Sequence, residues 1–71
     1  MIEKMKRTPK AKHGWKVWIR DSSLVNDIMR LSKYLQCDEF FFVTDVQYNK
    51  PVILFYTDSD EHAEWVEKEE V

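Results

Sequence analysis

Apolar and polar positions first form a regular pattern at Trp15. Residues 15–20 alternate between apolar and polar side chains, which predicts a β-strand. Apolar residues then recur at spacings of four, three and four, the period of an amphipathic helix. These residues are Leu24, Ile28, Leu31 and Leu35. Residues 21–23, Asp-Ser-Ser, are of types that cap helix N-termini, so we expect a helix that starts there and ends near residue 36.

Two segments in the second half of the chain predict further strands. Residues 40–48 and 52–57 consist largely of β-branched and aromatic side chains, which favour strands. Asn49 tolerates left-handed geometry and Pro51 keeps the residue before it extended, so a turn is expected between the two segments. The two strands should therefore form a hairpin.

The last predicted element is a helix that begins near residue 59. Asp58 and Glu61 have the spacing of a capping box, with Asp58 as the N-cap. The element order β-α-β-β-α predicts an α+β fold. A right-handed crossover with the third strand inserted between the first two gives a three-stranded antiparallel or mixed sheet in the order 1-3-2, with both helices on one face. This arrangement resembles a ferredoxin-like fold without its last strand.

The pairing of the hairpin decides which side chains share a face of the sheet. A two-residue loop at Asn49 and Lys50 would place Val46 opposite Ile53. The core beneath the helices would then hold Trp15, Val17, Ile19, Phe40, Phe42, Val46, Ile53 and Phe55. The opposite face would carry Trp18, Phe41, Val43, Val52, Leu54 and Tyr56, bordered by Lys16 and Arg20. Such an apolar face usually marks an interaction surface, unless the N-terminal segment or a further strand covers it.

Opposite charges are concentrated at the two ends of the chain, although the net charge is only −2. Residues 1–13 lack periodicity and predict a mobile basic arm ahead of a single domain over residues 14–71. The cations of this arm are Lys4, Lys6, Arg7, Lys10 and Lys12. The acidic surface of the last helix consists of Asp60, Glu61, Glu64 and Glu67. The arm is expected to contact nucleic acid, to bind an acidic helix of its own or a neighbouring molecule, or to act as a solubilising tail.

The chain offers few residues for catalysis or metal binding. Cys37 is the only cysteine, which excludes an internal disulfide and favours a cytoplasmic location. A zinc site would need more ligands than Cys37, His13 and His62 supply, and no metal or cofactor is expected. Cys37 beside a histidine would be a nucleophile in principle, but no second motif accompanies it, so no catalytic residue and no enzymatic activity are predicted. No segment approaches the roughly 20 apolar residues that span a membrane.

Small size and an aromatic sheet face together predict an interaction protein. A chain of 71 residues has a small core and gains stability from a partner. We expect an adaptor or inhibitor of a larger protein, or a homodimer, that acts through its aromatic sheet face and its acidic C-terminal helix. The partner-binding residues of the sheet face are Lys16, Trp18, Arg20, Phe41 and Tyr56. The alternative is a single-stranded nucleic-acid binder that stacks bases on its aromatic face and contacts phosphates with the arm. A minor alternative is that the acidic helix imitates nucleic-acid phosphates.

Overall fold

Four strands and two helices form an α+β fold in residues 2–20 and 24–70, the part of the chain that the structure, a computed structural model, describes. The elements are β1 (Ile2–Lys4), β2 (His13–Trp18), α1 (Leu24–Leu35), β3 (Phe40–Gln47), β4 (Lys50–Thr57) and α2 (Asp60–Glu70). The strands pair antiparallel in the order β1-β2-β4-β3. The predicted caps of the first helix, residues 21–23, lie outside the described residues.

The prediction of three strands is wrong, because the segment before Gly14 adds a fourth strand at one edge and the order of the whole sheet is not 1-3-2; the three predicted strands do keep their predicted relative order, as β2-β4-β3. β1 pairs with β2 through Ile2 opposite Val17 and Lys4 opposite Trp15. Three residues with a single apolar side chain give no sequence pattern, so the strand depends on backbone pairing with β2. β4 lies at the centre of the sheet, between β2 and β3. The segment predicted as a mobile arm thus contributes an edge strand.

The hairpin between β3 and β4 turns at Tyr48 and Asn49, one residue earlier than predicted. These residues have φ angles of 53° and 61°, as a type I′ turn requires. Ile53 therefore lies opposite Thr44, and the predicted pair with Val46 is wrong. The register differs from the predicted one by two residues, so every strand side chain keeps its predicted face.

Both helices pack against one face of the sheet around an aromatic core. Phe55 is fully buried at its centre, with its ring centroid 5.2 Å from that of Trp15, 5.6 Å from Tyr34 and 5.8 Å from Phe40. The other buried members of this core are Val17, Leu31, Ala63 and Val66. Because α2 contributes only small or β-branched residues here, the large rings of the sheet and of Tyr34 fill most of the space.

Helix α1 presents a different stripe to the core than its leucine spacing predicted. Asp27, Leu31 and Tyr34 are buried, whereas Leu24 and Ile28 of the predicted stripe are exposed. The buried carboxylate of Asp27 accepts the backbone N–H of Arg20 at 3.4 Å, so it has a hydrogen-bond partner. The helix is thus rotated so that Tyr34 points into the core, where its ring packs against Phe55 and Phe40.

The N-cap of α2 is Ser59, not Asp58. The backbone N–H of His62 donates to Ser59 Oγ at 3.2 Å, the hydrogen bond that an N-cap side chain makes with the third helical residue. Asp58 instead accepts the backbone N–H of Lys12 at 3.0 Å. The predicted capping box is thus replaced by a serine cap and a contact to the N-terminal segment.

Candidate interaction surface

The face of the sheet opposite the helices is covered at its centre by the loop between β1 and β2. Val52, Leu54 and Tyr56 are buried there, and Met5 and Ala11 of the loop pack against them. The expectation that this face is uncovered is therefore wrong at its centre. The N-terminal segment covers it, which was the other arrangement that the sequence left open.

Close packing of this loop on the sheet depends on Gly14. A Cβ atom at this position would lie 2.7 Å from Thr8 Cγ2 and 2.9 Å from Tyr56 Cδ1, which is too short for carbon atoms. The loop is held by two further hydrogen bonds. The backbone N–H of Met5 donates to the Gly14 carbonyl at 2.9 Å, and the Thr8 hydroxyl donates to the carbonyl of Ala11. Glycine is therefore favoured at this position by the lack of space for a side chain and not by its backbone conformation, because its φ angle is not positive.

The basic and acidic ends of the chain contact each other. Lys12 Nζ lies 3.1 Å from Asp60 Oδ2, His13 Nε2 lies 2.9 Å from Asp60 Oδ1, and Lys4 pairs with Glu67. The hydrogen bond with His13, followed by that from Lys12, holds the pKa of Asp60 below its usual value. The hydrogen bond from Lys4 lowers the pKa of Glu67 in the same way. The N-terminal segment thus binds the acidic helix of its own chain.

The acidic surface of α2 is only partly available to a partner. Glu61 and Glu64 are exposed, whereas Asp60 and Glu67 are engaged by basic groups of the N-terminal segment. Mimicry of nucleic-acid phosphates would require a broad array of free carboxylates. These contacts therefore weigh against that alternative.

The five predicted partner-binding residues lie in two separate places. Phe41 and Tyr56 stack at 5.3 Å at one end of the sheet, where Tyr56 is buried and Phe41 remains 43% exposed. Trp18 and Arg20 lie at the other end, in a cleft of about 370 Å³ that is also lined by Ile19, Tyr48 and Lys50. Lys16 Nζ lies 5.9 Å from the Trp18 ring centroid, within cation–π range.

The apolar pattern did not reveal a second group of exposed side chains on β3 and α1. Phe42 and Val46 of β3 are 47% and 67% exposed, although they point toward the helix-bearing face. Helix α1 packs against β3. Its exposed apolar residues are Leu24, Val25, Ile28 and Met29. We call these six residues the β3–α1 surface.

Four of the six residues of the β3–α1 surface were wrongly predicted to be buried or to form the buried stripe. They are Leu24, Ile28, Phe42 and Val46. A signal was present in α1, where apolar residues occupy positions 24, 25, 28 and 29 as well as 31, 34 and 35. This band is wider than one helix can bury against a small sheet.

A thiol, an imidazole and a carboxylate lie together where α1 ends and α2 begins. Cys37 Sγ is 3.5 Å from Nε2 and 3.8 Å from Nδ1 of His62, and Nδ1 is 2.9 Å from Glu39 Oε2. Because Sγ is almost equally distant from both nitrogens, it lies against the ring and not along the lone pair of either. A catalytic pair requires a directed thiol–imidazole hydrogen bond. Within the described residues, no group of three or more His, Cys, Asp or Glu side chains is placed to hold a metal ion.

Comparison with known proteins gave no match to a family model, to a curated protein or to a solved structure. Within residues 2–20 and 24–70, neither helix has the length and apolar character needed to cross a membrane. Function is therefore inferred from the surfaces described above.

Proposed function

We propose that this protein is a small, non-enzymatic interaction module of the cytoplasm, an adaptor or inhibitor that binds a larger protein through the β3–α1 surface. The observation that carries the proposal is the concentration of exposed large apolar side chains on two adjacent elements. Exposed apolar side chains concentrated on neighbouring elements in this way are typical of protein contacts.

The β3–α1 surface has the composition of a protein interface. Phe42 is aromatic and Met29 is a methionine, and both residue types are enriched at protein interfaces. Polar residues border this surface on α1, where Asn26 and Arg30 are exposed beside Val25 and Met29. An apolar centre with a polar rim favours a protein partner over a nucleic acid, whose binding draws on phosphate neutralisation.

Site-specific photo-cross-linking tests this proposal. A photoreactive phenylalanine analogue replaces Phe42 or Met29, both on the β3–α1 surface, and the variants are irradiated in cells of the native host. Glu64, exposed on α2, is the matched control position. We expect discrete protein adducts from positions 42 and 29 and none from position 64. Failure of both surface positions to cross-link, or equal adducts from position 64, contradicts the proposal.

One observation favours single-stranded nucleic acid as a second candidate ligand. The rings of Trp18 and Tyr48 lie 6.4 Å apart at 35°, beside Arg20 and Lys50, and Tyr48 is 88% exposed. An aromatic pair flanked by cations can stack an unpaired base and contact its phosphate, and stacking contributes about 1–3 kcal/mol per base. Tyr56 belongs to the aromatic face on which stacking was expected, but it is buried and does not offer its ring to a base.

Fluorescence anisotropy with a labelled oligonucleotide separates the two candidates. A nucleic-acid binder should lose affinity as salt rises, and Tyr48→Ala should weaken binding by about tenfold. Phe42→Ser, on the β3–α1 surface, is the control and should leave oligonucleotide binding unchanged. No binding at low salt excludes this second candidate and leaves the first intact.

A further inference from the structure

The outer edge of β3 is the longest open edge of the sheet in the described residues. β1, the other edge strand, has three residues, whereas β3 has eight. The two-residue turn makes Gln47 and Lys50 a hydrogen-bonded pair, so alternate residues of β3 direct their backbone groups away from β4. The outward-directed residues are Phe40, Phe42, Thr44 and Val46.

Two of these four outward N–H groups already have acceptors. The N–H of Phe40 donates to the Cys37 carbonyl at 3.1 Å, and the N–H of Val46 donates to Asp45 Oδ1 at 2.8 Å. The outward N–H groups of Phe42 and Thr44 have no acceptor among the described residues. The edge is therefore closed at both ends and open at two residues that flank Val43.

We propose that β3 pairs antiparallel with β3 of a second copy of this chain, about a two-fold axis at Val43, and so joins two four-stranded sheets into one of eight strands. The inference rests on the proposed function, because it takes β3 as part of a protein-binding surface; the second copy pairs with the edge of this strand, and the exposed row of α1 is left to the larger protein. In this register Phe42 lies opposite Thr44 of the second copy, and the converse pair forms by symmetry. Each of the two pairs exchanges two hydrogen bonds, and all four open N–H groups are satisfied.

The occupied N–H groups exclude the neighbouring registers. An axis at Phe42 would require the N–H of Phe40, which is bonded to Cys37, and would place Asp45 opposite Glu39 of the second copy. An axis at Thr44 would require the N–H of Val46, which is bonded to Asp45. The axis at Val43 uses only free donors and keeps these carboxylates apart.

Apolar surface also matches across this axis. A two-fold perpendicular to the sheet keeps the helices of both copies on one side, so Phe42 of one copy lies diagonally across from Phe42 and Val46 of the other. Helix α1 packs against β3, and its exposed apolar residues therefore lie on this side of the sheet as well. A net charge of −2 per chain produces little repulsion between copies.

Two proline variants test the backbone pairing. Thr44→Pro removes an outward N–H without removing a bond to β4, since proline is tolerated where an edge N–H faces solvent. Lys4→Pro, on the other edge strand, is the matched control, because it introduces a proline at a sheet edge that the proposed dimer does not use. By sedimentation equilibrium we expect a dimer for the native chain and for Lys4→Pro, and a dissociation constant raised at least about tenfold for Thr44→Pro, because two of four hydrogen bonds lose their donor.

Cross-linking through an introduced cysteine tests the register. In a Cys37→Ala background, Val43→Cys would face its own copy in a non-hydrogen-bonded pair, with Cα atoms about 4.5 Å apart and within disulfide range. Gln47→Cys, on the same face of β3 and also half-buried, would lie opposite residue 39 and far from its own copy. We expect oxidation to yield a covalent dimer from Val43→Cys only.

The outcomes distinguish failure of the dimer from failure of the proposed function. A chain that remains monomeric at about 0.5 mM, or equal cross-linking from Gln47→Cys, overturns the dimer. If residue 42 then still photo-cross-links to a different protein, the interaction function stands with another partner. If residue 42 gives no adduct and the chain is monomeric, both proposals fail.

Discussion

The two faces of the sheet carry aromatic side chains in similar positions but are closed by different means. On the helix-bearing face, Phe55 is surrounded by Trp15, Tyr34 and Phe40, and all four are buried. On the opposite face, Tyr56 is covered by a loop that contributes Met5 and Ala11 and places the Thr8 side chain beside Gly14, while Phe41 stays partly exposed.

The two faces are therefore expected to contribute unequally to the stability of the fold. Interlocked rings between sheet and helices bury most of the aromatic surface and should provide most of the free energy of folding. The loop cover combines small side chains with exposed ion pairs, and such pairs contribute little. We therefore expect the N-terminal segment to open locally while the helix-bearing face stays folded.

The largest effect is expected at the centre of the helix-bearing face. Phe55→Ala should lower the free energy of unfolding by about 3–5 kcal/mol, because it empties the space between three rings. Phe42→Ala is the matched control, since Phe42 lies opposite Phe55 on the same face and is half-exposed. Its cost should be below about 1 kcal/mol in urea titrations at concentrations too low for association. Equal losses would show that the edge of this face is packed as tightly as its centre.

An intermediate effect is expected where the loop meets the opposite face. Gly14→Ala introduces a Cβ that contacts Thr8 and Tyr56, and overpacking of this kind costs about 1–3 kcal/mol. Thr8→Ser removes the nearer methyl group but keeps the hydroxyl that binds the Ala11 carbonyl. The double variant should therefore recover part of the loss in urea titrations. A neutral Gly14→Ala would show that the loop can lift from the sheet at no cost.

Sorting of side chains between the two faces was predictable from the sequence because strand alternation has a period of two. The hairpin register was wrong by two residues, yet Phe42 and Phe55 stayed on one face and Phe41 and Tyr56 on the other. An error of one residue would have inverted both faces. The face assignment therefore survives a register error of two residues.

Coverage of the faces was not predictable from local patterns. β1 contains only one apolar residue, and it is a strand because its backbone pairs with β2. Helix α1 offers two apolar stripes of similar strength, and the choice between Leu24 and Tyr34 depends on how the latter packs on Phe55. The β3–α1 surface was missed because a sequence does not show which apolar residues lack a covering element.

The smallest effect is expected from acid, and it should fall on the loop-covered face alone. Asp60 and Glu67 have pKa values below the usual range because His13, Lys12 and Lys4 hydrogen-bond to their carboxylates. Groups with a lowered folded-state pKa stabilise the fold above their unfolded pKa, and this stabilisation is lost as the pH falls through the folded-state value. The contacts of the N-terminal segment should therefore weaken below about pH 4, while the helix-bearing face is unaffected.

Amide hydrogen exchange at Met5 measures this loss directly, because its N–H is bonded to the Gly14 carbonyl and reports whether the segment is in place. Lowering the pH from 6 to 3 should raise the opening equilibrium at Met5 but not at Phe55, and Asp60→Asn should raise it already at pH 6. Glu64→Gln, on the same helix without an ion pair to a described residue, is the matched control and should change neither amide. If Met5 and Phe55 open together at every pH, the two faces unfold as one unit, and the contrast between a packed face and a covered face is lost.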